Sequence, residues 1–356
     1  GQRSKTNSNI LNVTSAFHNS FDRISGYLVE TFLGEGRFGK VARCLKLKTN
    51  EKMALKIVRT DAGTTGKREV AMLRRLRKLD EDKNNLVRMT EYFRHKGHYC
   101  LVFEMLDTSL HDLMKERNSK PLCLSGIRVI SQQMLVALNA LKSIGLLHTD
   151  IKPDNVMLVN HKLQPFRVKL IDFGLAATVS TMFLGTIQAL GYRAPEVILG
   201  LPLDEAVDMW SLGCVLAFLY LGKHLYPTHY SMTKCRNGIY DKLNSLEDVA
   251  RFHPTVKQAT EYDDTLAFLS LLKRMLHVDC KKRISPSEAL GHRFITMRHL
   301  PRHTHDRSYV TAARSTLRDC GLSKQSSVQF KRFVTSNDEV FGLPPRCQCT
   351  EEWTSA

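Results

Sequence analysis

His148-Thr149-Asp150-Ile151-Lys152-Pro153-Asp154-Asn155 is the stretch of sequence that decides the fold. Asp150 can accept the proton of an attacking hydroxyl, and Lys152 can neutralise a phosphoryl group in transfer. Asn155 can ligate a divalent cation through its amide oxygen, because hard oxygen ligands suit magnesium. The stretch therefore predicts phosphate-transfer chemistry, with Asp150 and Lys152 as catalytic residues and Asn155 as a metal ligand.

Two motifs further along the chain extend this chemistry. Asp172 follows the largely apolar predicted strand of residues 168–171 and precedes a Phe-Gly pair, whose glycine lets the chain turn. We therefore predict that Asp172 is a second metal ligand. Ala194-Pro195-Glu196 closes the loop that follows. Its glutamate would otherwise be an ordinary surface carboxylate, and we predict a buried ion pair between it and Arg283.

Gly34, Gly36 and Gly39 lie upstream, between two predicted strands. Three glycines also occur in dinucleotide-binding folds, but there the glycine loop opens a helix. Here residues 40–45 alternate between polar and apolar side chains, which predicts a strand directly after Gly39. A hairpin of this kind can cover nucleotide phosphates, since main-chain N–H groups approach a phosphate most closely where no Cβ intervenes.

Lys56 lies on a predicted strand just after that hairpin and is flanked by apolar residues. A charged group in such surroundings needs a partner. Glu69 is the candidate, because apolar residues at every third position predict an amphipathic helix over residues 67–79. A Lys–Glu pair would hold the ammonium where it can grip phosphates. The alternative is that the ammonium of Lys56 is hydrated by solvent and has no carboxylate partner.

In this order and at these separations, the motifs resemble those of the eukaryotic protein kinase superfamily over about residues 27–296. Within that superfamily, the residues of several segments resemble most those of the homeodomain-interacting protein kinases, relatives of the dual-specificity tyrosine-regulated kinases. The segments that carry this closer resemblance are residues 101–106, 192–202 and 208–214. The chain is therefore identified, by resemblance, as a divergent member of that family.

The resemblance implies an α+β, bilobal protein-kinase fold. Residues 27–106 are expected to form a β-rich N-lobe with one regulatory helix. Residues 107–296 are expected to form a mainly helical C-lobe. Residues 1–26 are expected to be a flexible arm, and residues 297–356 a tail with little periodicity.

The resemblance also implies ATP and Mg²⁺ as cofactors, with ATP in the cleft between the lobes. Phe103 would guard the back of the pocket, and the main chain of Glu104 and Leu106 would hydrogen-bond the base. Lys56, Glu69 and the three glycines would belong to the same site. Four apolar residues would sandwich the adenine, although ordinary core packing explains them equally well: Leu33, Val41, Ala54 and Leu158.

Three positions depart from the family pattern. Thr149 stands where many kinases have an arginine that binds an activation-loop phosphate, and Leu190 replaces another arginine of the family. Thr186 stands where the family has a loop tyrosine, so tyrosine autophosphorylation at that site is excluded. Thr186, Ser180 and Thr181 are candidate phosphosites, with capping or packing as the alternative role for Thr186. A preference for proline after the target hydroxyl does not follow from the resemblance.

Two function classes compete for the chain as a whole. An active serine/threonine kinase requires Lys56, Asp150 and Asp172, and all three are present, with Lys152 in the serine/threonine-type position. A pseudokinase scaffold usually lacks one of them. The insert that the family carries after Tyr226 is short, which indicates an altered docking surface.

The remaining expectations come from composition. The net charge of +17 attracts acidic partners, but no nucleic-acid-binding motif is present, so direct nucleic-acid binding is not expected. No apolar run reaches the roughly 18 residues of a membrane span. Nine cysteines without zinc-site spacing indicate a reducing compartment, nuclear or cytoplasmic. We expect a monomer that acts on protein substrates, with transcription regulators as partners by family analogy.

Overall fold

The computed structural model describes residues 23–36, 39–59, 63–181, 187–228, 259–300 and 307–320. Thr186, most of the arm and most of the tail lie outside these residues, as does most of the shortened insert. The extents of arm, kinase domain and tail stay predictions, although the first sheet already begins at Arg23.

The N-lobe is a six-stranded antiparallel sheet with the order β1-β2-β3-β4-β6-β5. Residues 27–29 and 42–44 alternate between buried and partly exposed side chains, whereas residues 55–58 and 100–102, on the two central strands, are buried on both faces. A single helix, α1, connects β4 to β5. The elements are β1 (Arg23–Ile24), β2 (Tyr27–Gly36), β3 (Gly39–Lys46), β4 (Glu51–Val58), α1 (Gly63–Leu76), β5 (Met89–His95) and β6 (His98–Glu104).

The C-lobe is mainly helical, which together with the sheet of the N-lobe confirms the α+β bilobal fold. Its helices are α2 (Leu110–Glu116), α3 (Leu124–Ser143), α4 (Pro195–Ile198), α5 (Ala206–Leu221), α6 (Ala259–Met275), α7 (Pro286–Leu290), α8 (Arg293–Thr296) and α9 (Arg307–Asp319). A two-stranded hairpin, β7 (Val156–Asn160) and β8 (Gln164–Leu170), packs against α3 through β8. Among the described residues, no helix is long and apolar enough to cross a membrane.

Helix α5 forms the centre of the C-lobe, and every residue from Val207 to Leu221 is buried. A helix that is apolar on all sides can only be stable inside a core. It ends at Gly222, which adopts a left-handed φ of 67°. A Cβ at Gly222 would lie 1.9 Å from the carbonyl oxygen of Ser119, so only glycine fits this helix end.

Helix α9 lies in the segment where sequence analysis expected little periodicity, and this expectation was wrong. Its apolar residues Val310, Ala313 and Leu317 pack on Met297 and Leu300. The spacing of i, i+3 and i+7 was the available signal, although it involves only three apolar residues in a mainly polar segment.

A buried ionic cluster also anchors α9 to the C-lobe. The hydroxyl of Tyr309 donates to Asp264 Oδ2 at 2.6 Å. Asp264 Oδ1 accepts from Arg128 and lies 2.8 Å from His299 Nε2. The side chains of Arg128 and Asp264 are fully buried, so their charges depend on one another. The tail therefore begins as part of the lobe.

His292 gives the C-lobe a pH-dependent stability. Its Nδ1 accepts the main-chain N–H of Phe294 at 3.2 Å, which caps α8 and requires a neutral imidazole. Burial, with the nearby charges of Arg274 and Arg293, lowers the pKa of His292 from 6.5 to about 4. The unfolded chain binds this proton more readily, so the stabilisation is complete above pH 6.5 and is lost as the pH falls towards 4.

We expect His292→Asn to remove this dependence, because asparagine caps a helix without titrating. The free energy of unfolding of the wild type should fall by about 1 kcal/mol more than that of the variant between pH 6.5 and 4, after allowance for solvent screening of this half-buried ring. Urea titrations across this range measure both. Parallel pH profiles would show that another group is responsible.

Candidate active site

Lys56 joins two carboxylates that come from different parts of the chain. Its Nζ lies 2.6 Å from Glu69 Oε1 on α1 and 2.7 Å from Asp172 Oδ1. Burial alone would lower the pKa of Lys56, but the two carboxylates outweigh burial and hold it above its ordinary value. Burial would raise the pKa of Asp172, and the ammonium of Lys56 outweighs it to hold that pKa below its ordinary value. The predicted Lys–Glu contact is present. Burial raises the pKa of Glu69 above its ordinary value, against the opposing effect of the Lys56 ammonium.

Asp150, Lys152 and Asn155 meet in one short loop. Asp150 Oδ2 accepts from Lys152 Nζ at 2.9 Å and from Asn155 Nδ2 at 2.9 Å. Asn155 Nδ2 also donates to the carbonyl oxygen of Asp150 at 2.8 Å. Both amide protons of Asn155 are thus used within the loop, and its amide oxygen remains as the atom for a cation. A 3-10 turn over Pro153–Asn155 brings the amide back to Asp150.

Asp208, at the start of α5, holds this loop from below. It accepts the main-chain N–H of His148 at 2.7 Å and that of Thr149 at 2.9 Å. Thr149 has a φ of 64°, a costly conformation for a β-branched residue. Two hydrogen bonds to this buried side chain compensate for the strain, and burial raises the pKa of Asp208 above its ordinary value. Sequence analysis missed Asp208, although a carboxylate at the head of an all-apolar helix was a visible signal.

Asp172 also adopts a left-handed conformation, with a φ of 60°. His148 supports the chain on both sides of it. Nε2 of His148 lies 2.8 Å from the carbonyl oxygen of Ile171, and its ring packs edge-on against Phe173 at 5.0 Å. Because Nδ1 of His148 accepts the N–H of Asp150, Nε2 must carry the proton. One imidazole therefore connects the loop of Asp150 to that of Asp172.

A cavity of about 280 Å³ lies between the lobes, beside Lys56 and Asp172. Its wall contains predicted nucleotide-binding residues from both the sheet and the segment that joins the lobes: Leu33, Gly34, Val41, Ala54, Lys56, Glu69, Phe103, Glu104 and Leu106. Met157 also lines it, whereas Leu158 is 1% exposed and packs in the core. The assignment of Leu158 is therefore corrected to its neighbour, because successive residues of β7 face opposite sides.

Gly36 and Gly39 pair with each other at the tip of the β2–β3 hairpin, outside the wall of this cavity. Gly39 has a packing reason of its own. A Cβ there would lie 2.1 Å from the carbonyl oxygen of Ile57 on the neighbouring strand. Strand pairing thus requires this glycine, whether or not a phosphate approaches it.

Glu196 and Arg283 form the buried ion pair that the sequence predicted. Arg283 Nη1 lies 2.5 Å from Glu196 Oε1, and Nη2 lies 2.9 Å from Oε2. The guanidinium also donates to the carbonyl oxygen of Ala206 at 2.8 Å and lies 5.2 Å from the ring of Trp210. This bidentate pair ties the end of the loop that follows Asp172 to the core of the C-lobe.

The loop that follows Asp172 is described in two parts, up to Thr181 and from Ile187. Ser180 and Thr181 are exposed, and their hydroxyls lie 2.9 and 3.0 Å from that of Thr178. Thr149, which replaces the arginine of other kinases, donates to the carbonyl oxygen of Leu175 at 2.8 Å. It therefore contacts this loop directly.

Gln188 is a second residue that sequence analysis missed. Its side chain is buried, donates to Val207 and Ser211 at 2.8 Å each, and accepts the N–H of Ala194 at 2.9 Å. Its main-chain N–H donates to the carbonyl oxygen of Thr149 at 3.0 Å. No local sequence signal marks a glutamine as buried. Leu190, which replaces an arginine, is half-buried in the 3-10 turn Leu190–Tyr192.

The residues present fit ATP with a divalent cation. The carboxylate of Asp172 and the free amide oxygen of Asn155 are hard oxygen ligands, and magnesium commonly takes one or two protein ligands with the remainder from phosphates and water. Among the described residues, no group of three or more His, Cys, Asp or Glu side chains is placed to hold a metal ion. The catalytic, ATP-binding and metal-binding roles stay predictions.

Comparisons with known proteins agree with this geometry. The protein kinase domain model matches residues 27–295. Homeodomain-interacting protein kinase 2 of Mesocricetus auratus is 41% identical over an aligned length of 345 positions, and the match covers 79% of this chain and 30% of that protein. Homeodomain-interacting protein kinase 4 of Homo sapiens is 33% identical over an aligned length of 394 positions, and the match covers 92% of this chain and 63% of that protein.

A solved crystal structure of another kinase domain superposes with a TM-score of 0.65 at 27% identity, and the match covers 78% of this chain and 97% of that one. The chain spans about a third of the length of the first curated relatives it matches, such as kinase 2 of the hamster. With the family model matched over most of its length, the chain belongs to the protein kinase family, as a divergent relative of the homeodomain-interacting protein kinases.

Proposed function

We propose that this chain is an active serine/threonine protein kinase that transfers the γ-phosphoryl group of ATP to a protein hydroxyl. The observation that carries the proposal is the contact of Lys56 with both Glu69 and Asp172. It brings the α1 helix, the strand of the lysine and the predicted metal ligand to one side of the cavity. A scaffold without activity has no need to keep these three ionisable groups in contact beside the cavity.

The residues would divide the transfer among them. Asp150 accepts the proton of the substrate hydroxyl while the oxygen of that hydroxyl forms a bond to the γ-phosphorus. The bond between that phosphorus and the bridging oxygen breaks, and ADP leaves with the electron pair. Lys152, already 2.9 Å from Asp150, neutralises the phosphoryl group in transfer. A bound magnesium ion would supply further charge neutralisation beside Asp172 and Asn155.

Lys56 would bind the α- and β-phosphates, with Glu69 fixing its position. In this structure Asp172 also contacts the ammonium of Lys56. The main chain at Glu104 and Leu106 would hold the base, between Val41 and Ala54 above and Met157 below. This arrangement is a fixed electrostatic frame around the site of charge development.

Incubation with labelled ATP, Mg²⁺ and a generic protein substrate tests the activity. We expect label on serine and threonine from the wild type, and at least about 100-fold less from Lys56→Met, because the variant removes the charge that grips the phosphates. Phosphoamino-acid analysis identifies the acceptor. Equal labelling by both proteins, or label on tyrosine alone, would contradict the proposal.

Proposals on regulation and cellular context come from the exposed hydroxyls and from the names of the relatives. Ser180 and Thr181 are exposed and thus open to autophosphorylation, and site mapping in the same assay would also report on Thr186. The names of the relatives state an interaction with homeodomain proteins. We therefore propose transcription regulators among the substrates or partners, a monomeric state, and a nuclear or cytoplasmic location.

A further inference from the structure

Lys169, on strand β8, is a buried lysine behind the nucleotide cavity. The residue is 2% exposed, and its Nζ lies 2.5 Å from Asp82 Oδ1 and 2.6 Å from Glu104 Oε1. Removing an ammonium from water costs several kcal/mol unless carboxylates and hydrogen bonds compensate. The two acidic partners therefore explain how this lysine can be buried. Sequence analysis gave it no role.

The three segments that meet at this ammonium each continue into the proposed ATP site. Glu104 is the last residue of β6 and lines the cavity. Asp82 follows α1, the helix that carries Glu69. Lys169 itself lies three residues before Asp172 on the same stretch of chain. One positive charge thus connects the segment that faces the base with the two that carry the phosphate and metal side.

Glu104 is the point of contact with the nucleotide. Its Oε1 also accepts the main-chain N–H of Arg88 at 2.7 Å, and its own N–H donates to the carbonyl oxygen of Arg88 at 3.2 Å. The carboxylate and the N–H are therefore committed to the protein. The carbonyl oxygen of Glu104 remains as its group for a base, and its position depends on how Lys169 and Arg88 hold the residue.

We propose that Lys169 is a positioning residue for ATP, which acts through Glu104 by fixing the main chain that hydrogen-bonds the adenine. This inference rests on the proposed function. Lys169 touches no reacting atom. Hydrogen bonds to the base tolerate little displacement, so a shift of about 1 Å in the main chain of Glu104 weakens them substantially.

Lys169→Met, made in the full chain, tests the inference by separating binding from chemistry. We expect KM for ATP and Kd for Mg-ADP to rise about tenfold, the equilibrium equivalent of one lost hydrogen bond, while kcat stays within about twofold. Steady-state kinetics and calorimetric titration with ADP measure the three constants. A lysine with only a structural role would lower the melting temperature and leave these constants unchanged.

Two further variants keep the result interpretable. Tyr309→Phe removes a hydrogen bond to the buried Asp264 in the C-lobe and serves as the stability control, with a lower melting temperature and unchanged ATP constants. Glu104→Gln keeps the shape of the side chain but loses its charge. It should raise KM for ATP about threefold, even if Lys169→Met fails to fold.

The inference is overturned if KM for ATP and Kd for Mg-ADP are unchanged or lower in both Lys169→Met and Glu104→Gln. If Lys169→Met does not fold, an unchanged KM for ATP in Glu104→Gln overturns it. An equal rise in Tyr309→Phe would attribute the effect to general destabilisation and would also overturn it. Failure of the wild type to bind Mg-ADP is a different outcome, since it would contradict the proposed function itself.

Discussion

Replacing Asp172 with asparagine is expected to lower kcat at least about 1,000-fold and to leave the fold intact, because a metal-bound charge contributes several kcal/mol to the transition state. Asparagine has the same shape and can still accept from Lys56 and from the N–H of Gly174, which lies 3.3 Å from Asp172 Oδ1. What it lacks is the negative charge that binds a cation. Single-turnover phosphate transfer at saturating ATP measures the loss, and circular dichroism checks the fold.

Asp279→Asn is the matched control for this substitution. Asp279 is a partly exposed N-cap on the C-lobe, where asparagine caps equally well, so kcat should stay within about twofold. Retention of more than about a tenth of wild-type kcat by Asp172→Asn would show that Asp172 is not the metal ligand. A raised magnesium requirement with partial activity would instead indicate that the site has other strong ligands.

Breaking the Glu196–Arg283 pair is expected to produce the largest loss of stability. Arg283→Met would leave the buried carboxylate of Glu196 without a counter-ion, which costs about 3–5 kcal/mol. It would also deprive the carbonyl oxygen of Ala206 of its donor. We expect a melting temperature lower by roughly 6–15 °C in thermal unfolding. Because this pair ties the loop after Asp172 to the core, kinase activity should already be lost at temperatures well below the melting temperature of the variant.

Two comparisons separate the charge effect from packing. Lys142→Met breaks the partly exposed pair of Lys142 and Glu205 and should cost less than about 1 kcal/mol. The double variant Glu196→Leu with Arg283→Met removes both charges and should recover part of the loss. If the double variant is less stable than Arg283→Met alone, the unpaired carboxylate is not the cause of the destabilisation.

Contacts between residues close together in the chain could be predicted from the sequence alone. Asp150, Lys152 and Asn155 lie within six positions of one another, so a single turn of chain suffices to join them. Lys56 and Glu69 are 13 residues apart, and Glu69 is the acidic residue on the amphipathic helix that follows the strand of Lys56. The α+β bilobal fold was likewise expected, because the motifs occur in an order that the family shares.

Residues whose role depends on which side of an element they face were harder to assign. The floor of the cavity was given to Leu158 and belongs to Met157, since a strand of alternating apolar residues does not show which face meets the neighbouring lobe. Gln188 and Asp208 were missed because only the packing around them turns an ordinary polar side chain into a buried hydrogen-bonding centre.

By itself, the sequence determined the family, the order of the two lobes and the identity of the charged groups, since these depend on short spacings and local periodicity. Only the tertiary structure decided which distant groups meet. The contact of Lys56 with Asp172 spans 116 residues, that of Arg128 with Asp264 spans 136, and Lys169 joins segments 65 and 87 residues away. A charged side chain can pair with any opposite charge that is close enough, and the packing of the apolar elements decides which opposite charge is close.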